Sequence, residues 1–153
     1  MEKTSKDLQK EQIKREKEEA LEKQTSDDFS AKKTKAQQSG GDLVKQLAAW
    51  LDNPPFKSKN SNLKFETFYA IMNLMGQLKP DNIEKIASLG LDAKQAITLS
   101  KYIFKAFDLL DKRDQKTQQF VNQNLLLKVQ LKIQEKFGQS AILKAGFEKN
   151  PIC

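Results

Sequence analysis

Leu127, Val129, Leu131 and Ile133 alternate with Lys128, Gln130 and Lys132, which taken alone is the pattern of a half-buried strand. No second alternating run exists in the chain to pair with it, and an unpaired strand is not stable in water. The run is therefore expected within one helix of wide apolar coverage, Gln115 to Phe137, stopped by Gly138. Without a sheet, every other apolar stretch has to find its place in a helix packed on helices, and the chain is predicted to be all-α.

Helix boundaries follow from capping chemistry. Asp42 is placed to cap a short helix in which Leu43, Val44, Leu47, Ala48 and Leu51 recur at helical spacing. Asn53-Pro54-Pro55 ends it, because consecutive prolines cannot continue the hydrogen-bond ladder. A second helix is predicted from Asn62 to Leu78, its apolar arc wide enough for more than one neighbour. Pro80-Asp81 opens a short third helix ending at Gly90. Asp92 and Gln95 form a capping-box pair for the next. Ser140 is placed to cap a final helix before Pro151. About five to six short-to-medium helices joined by short turns make a compact stack of antiparallel pairs.

The first forty residues are different in kind. Between Glu2 and Gln24 the sizeable apolar residues are Leu8, Ile13, Ala20 and Leu21, too sparse to bury a face. Acid-first pairs four apart, Glu11 with Arg15 and Glu19 with Lys23, support a solvated helix only weakly. Residues 25–41 have linker composition, with Phe29 as their one large apolar side chain. The expected organisation is a charged tail and linker over 1–40, partly helical or disordered when free, and a helical domain over 41–153.

Residues 1–40 carry ten Lys or Arg against nine Asp or Glu, and residues 41–153 carry seventeen against eleven, a net +6. That basic excess suits phosphate, an anionic membrane surface or an acidic protein partner. In the stretch SKYIFKAFD, Ser100 to Asp108, two lysines stand among three aromatics. At about 100° per residue, Leu99, Ile103, Ala106, Phe107 and Leu110 form one stripe with Phe104 on its flank, and Lys101 and Lys105 fall opposite. The aromatics are predicted to be core, the two lysines an outward basic ridge open to a docking contact, and Tyr102 a border residue with a wet hydroxyl.

Chemistry is hard to find. The chain has no histidine, which removes the commonest general base and the commonest transition-metal ligand. Asp108, Asp111 and Asp114 recur every third residue, but Lys112 and Arg113 lie among them and no glycine turn accompanies them, so they fit a solvated helix end better than a cation site. Gly40-Gly41 is followed by Asp42 and lacks the Lys-Ser or Lys-Thr pair of a phosphate loop. Cys153, the single cysteine, has no base or positioning group and no internal disulfide partner. No stretch approaches the roughly 20 apolar residues of a spanning helix. A non-enzyme without cofactor or metal, soluble and intracellular, is expected.

Three signatures in order, LDNPPFKSKNS, PDNIEKIASLG and SKYIFKAFD, resemble subunit 5 of the actin-related protein 2/3 complex, its small helical subunit, from about Leu43 to Asp108. GQSAILKAGFEKN is similar to that family's closing segment in a looser form. The resemblance implies an α–α superhelix that docks on subunits 4 and 1, extends its N-terminal tail toward actin-related protein 2, and so supports branched actin nucleation without hydrolysing ATP. The family's tail is strongly acidic, whereas residues 1–40 here are charge-balanced, and Asp27-Asp28-Phe29 is the one acidic–aromatic anchor to which the tail's contact could transfer. The partner-binding candidates are thus Asp27, Asp28, Phe29, Lys101, Tyr102 and Lys105. Two other readings stand beside this one. A small basic helical nucleic-acid-binding protein would fit the net charge, but Arg113 is the one arginine after residue 40 and arginine is the preferred base-reading side chain. A coiled-coil arm in the N-terminal region would need sustained heptads, and Leu8 and Ile13 are five apart.

Overall fold

A computed structural model describes residues 4–52, 54–86, 91–140 and 143–144. Among them there are seven helices and no strand, so the all-α expectation holds. The helices are α1 (Ser5–Gln38), α2 (Leu43–Leu51), α3 (Ser61–Gly76), α4 (Pro80–Lys85), α5 (Ala93–Asp111), α6 (Gln115–Phe120) and α7 (Gln123–Phe137).

The caps are where the side chains allow them. Asp42 accepts from the Val44 and Lys45 N–H groups at 3.1 and 3.2 Å. Asn60 accepts from Leu63 N–H at 3.2 Å to start α3. Asp92 and Gln95 complete the capping box, at 2.8 Å from Gln95 N–H and 3.1 Å from Asp92 N–H. Gln95 also donates to Asp52 at 2.9 Å, which ties the start of α5 to the end of α2. Gly138, at φ +78°, ends α7 as expected. The Gly90 helix end, the segment after Ser140 and Cys153 lie outside the described residues or at their edge.

Two expectations are overturned. The helix predicted over Gln115–Phe137 is two helices, because Val121 and Asn122 are extended. Asn122 caps α7 by accepting from Leu125 N–H at 2.9 Å, and extended Val121 sinks its side chain into the core. The break also brings the Phe120 backbone against Gly76 at the end of α3. A methyl group on Gly76 would overlap the Phe120 carbonyl, so only glycine permits the approach. Second, the linker composition of residues 25–41 does not stop the first helix, which runs 34 residues through Gln38, a length of about 50 Å at 1.5 Å per residue.

α5 lies at the centre. It contacts α2, α6 and α7, while α3 packs on α2 and α6, and α4 on α2 and α7. Leu99, Tyr102, Ile103 and Ala106 are fully buried, joined by Leu47, Phe68, Ile71, Met72, Met75, Leu126, Val129 and Ile133 from the surrounding helices.

Candidate functional site

The C-terminal half of α1 lies on α2 and on the loop that follows Pro54-Pro55. Glu22, Phe29, Lys32 and Ala36 step along one face at helical spacing. Phe29 meets Trp50 of α2 edge-on, with ring centroids 5.3 Å apart, and Ala36, about two turns further along α1, is buried in the core. At the loop, Ser58 Oγ–H and the Lys59 backbone N–H each donate to the Glu22 carboxylate at 2.7 Å, and Lys59 Nζ reaches Glu18 at 3.0 Å. The Lys59 N–H, followed by the Ser58 hydroxyl, holds the Glu22 carboxyl below its ordinary range. Burial pulls the Lys32 ammonium down to about 8, against the opposing attraction of Asp28 and Asp52. The N-terminal half reaches past these contacts, with Leu8 and Ile13 exposed.

Of the anchor candidates, Asp27 is exposed, Asp28 is half-buried and Phe29 is already seated on Trp50. The acidic–aromatic triplet is therefore divided, its aromatic turned to the chain's own body and one carboxylate to solvent.

SKYIFKAFD also departs from its helical projection. Tyr102 is fully buried, with its ring 5.9 Å from Phe56 and 6.3 Å from Phe68, and is a core residue where a wet border residue was expected. Lys101 is 7% exposed, its ammonium 4.7 Å from the Phe56 ring centroid. Burial lowers its pKa. The expected outward ridge is thus limited to Lys105, which is half-buried and 3.7 Å from Asp108. The physical reason is Phe56, which the Pro54-Pro55 turn lays over the side of α5 that a two-sided projection leaves to water. Phe107 packs against the core as expected, and Phe104 is half-buried.

Two of the three aspartates, Asp108 and Asp114, serve separate local tasks. Asp108 pairs with Lys112 at 3.0 Å, an interaction that lowers its pKa. Asp114 caps α6 by accepting from the Thr117 N–H and hydroxyl, and Tyr69 donates to it at 3.1 Å. The Thr117 hydroxyl is the main cause of its depressed pKa. Between α5 and α6 the chain turns at Arg113, φ +58°, with Asp114 N–H donating to Leu109 O at 2.9 Å.

The contacts that position α1 were mostly missed from sequence. Trp50 follows Leu47 by three residues on the same face of α2 and could have been found by that spacing. Phe56 and Ser58 lie in a loop with no periodicity to reveal them.

A family model, the ARP2/3 complex 16 kDa subunit (p16-Arc), matches residues 2–148. The chain belongs to that family. It is also 35% identical over 69 residues to Actin-related protein 2/3 complex subunit 5-C of Xenopus laevis, a match that spans 45% of this chain and 45% of that relative. The family match includes α1 and α7, both beyond the segment that carries the three signatures.

Proposed function

We propose that this chain is a non-catalytic structural subunit of the actin-related protein 2/3 complex. It docks on neighbouring subunits, subunits 4 and 1 foremost, tethers actin-related protein 2 through residues 1–40, and so supports nucleation of branched actin filaments in the cytoplasmic actin cytoskeleton. The observation that carries this reading is the family match over residues 2–148. In this reading the partner contacts fall on the candidates that are accessible. Asp27 and the rim of Lys105 are accessible, whereas Phe29, Lys101 and Tyr102 support the surface from beneath. In this reading the tether is a helix with its C-terminal half anchored on α2, and its leading turns carry the contact to actin-related protein 2.

Affinity purification with mass spectrometry tests it. The tagged chain is expected to recover both actin-related proteins and the other subunits, and a clean purification lacking all of them would overturn the proposal. Deleting residues 1–40 is expected to reduce recovery of actin-related protein 2 more than that of the other subunits. Equal loss of every subunit contradicts the tether role.

A further inference from the structure

Ser58 is 3% exposed, in a loop whose adjoining residues Lys57, Lys59 and Asn60 are all exposed. Its hydroxyl donates to one oxygen of the Glu22 carboxylate at 2.7 Å and accepts from the Asn60 N–H at 3.0 Å. The other Glu22 oxygen accepts from the Lys59 N–H, also at 2.7 Å, and the Lys59 ammonium is held by Glu18. Toward this loop α1 therefore presents carboxylates, with Asp28 joining them across a cleft of about 500 Å³ that Leu21, Thr25, Phe56 and Ser58 also line. That cleft leaves the seam between α1 and the loop unfilled, so the helix can lift without emptying the core.

We propose that Ser58 is a phosphorylation site whose phosphate releases the C-terminal half of α1 from the body. A protein kinase transfers the γ-phosphoryl group of a nucleoside triphosphate to Ser58 Oγ. The Oγ–P bond forms, the bond from the γ-phosphorus to its bridging oxygen breaks, the nucleoside diphosphate leaves, and the hydroxyl proton passes to the kinase's base. Phosphoserine has no hydroxyl to donate to Glu22, and it sets a charge of about −1.5 to −2 against the carboxylates of Glu18 and Glu22. The released state suits the phosphate better. Lys59 is then free of Glu18, Lys64 is close enough to act on a charge at this place, and the N-terminus of α3 begins at Asn60, two residues on. Burial makes the site self-gating: the kinase reaches Ser58 when α1 has lifted, and the phosphate then keeps α1 from returning. The latch stands on contacts within this chain; its consequence, a tether longer by the segment from Glu18 to Ala36, rests on the functional reading above.

The test is the full chain carrying genetically encoded phosphoserine at position 58. The amides from Glu22 to Ala36 are expected to exchange at least about tenfold faster than in the unmodified chain, and Trp50 emission to shift to the red, with cooperative urea unfolding retained. Ser58→Ala loses the hydroxyl bond without adding charge and is expected to accelerate exchange less. Unchanged exchange in the phosphorylated chain, or equal acceleration by alanine, overturns the charge-driven release. For the site itself, the chain isolated from its own cells with phosphatase inhibitors is expected to carry phosphate on Ser58 in the chymotryptic peptide 57–65, at higher occupancy when Phe29→Ala has loosened α1. A peptide without phosphate in both chains, or phosphate on Ser61 alone, overturns the acceptor role. Failure of the chain to recover other subunits would overturn the tether and leave the latch standing.

Discussion

α1 and α5 are both long helices, and they are held by opposite means. α5 is buried on nearly every side between Thr98 and Ile103, so its position follows from apolar area removed from water. α1 has one buried residue among its 34, Ala36, together with the Phe29–Trp50 contact and the Glu22 carboxylate clasped by the Ser58–Lys59 loop. A helix can thus be placed by a few specific contacts that give no periodic apolar pattern. Such a helix can open locally while the core stays folded.

The contrast can be broken most severely in the core. Leu99→Ala is expected to cost about 2–5 kcal/mol of global stability, read from the midpoint of urea unfolding, because Leu99 is fully buried and the surrounding helices relax only partly. A loss below about 1 kcal/mol would mean that α5 is not the central helix. Phe29→Ala is expected to act on α1 alone. Trp50, the single tryptophan, should shift its emission to the red as its ring becomes hydrated, while global stability falls by only about 0.5–1.5 kcal/mol, the scale of one aromatic pair. Unchanged emission would mean that another side chain covers Trp50.

pH separates the two regions further. The Lys32 amine has its pKa lowered to about 8 in the docked helix, against 10.5 when unperturbed. The docked state therefore binds fewer protons than the released one between these values, so α1 should hold more tightly as pH rises from 8 toward 10. Glu22 acts with the same sign in the acid range. Its depressed pKa contributes docking stability above 4.5 that is lost as pH falls through the docked value. Trp50 emission followed across both ranges checks the two signs, and a profile flat in both would remove Lys32 and Glu22 from the clasp. The smallest expected effect is a gain. Arg113 occupies a left-handed conformation at the end of α5, and Arg113→Gly should raise stability by about 0.5–1 kcal/mol in thermal unfolding by removing the side-chain strain.

What the sequence made legible follows from the range of each signal. Caps such as Asp42, Asp92 with Gln95, and Gly138 are local, and they were found where they stand. The stripe from Leu99 through Ala106 correctly placed one side of α5 in the core. It could not show that Phe56, more than forty residues earlier, covers another side and buries Lys101. The division of residues 115–137 had a local cause in Asn122, but its counterpart was distant Gly76. For the candidate partner residues, the family resemblance pointed to Asp27, Asp28 and Phe29 and could not separate the exposed carboxylate from an aromatic committed to Trp50.

Amide hydrogen exchange on the intact chain tests the central contrast most directly. The backbone amides of Leu99 to Ala106 in α5 should exchange only through global unfolding, with protection that tracks the urea-derived stability. Those of α1 should exchange faster through local release, fastest ahead of Glu18 and more slowly from Glu22 to Ala36. Equal protection in α1 and α5 would contradict a helix held by a clasp and show one cooperative core extending from Ser5 onward.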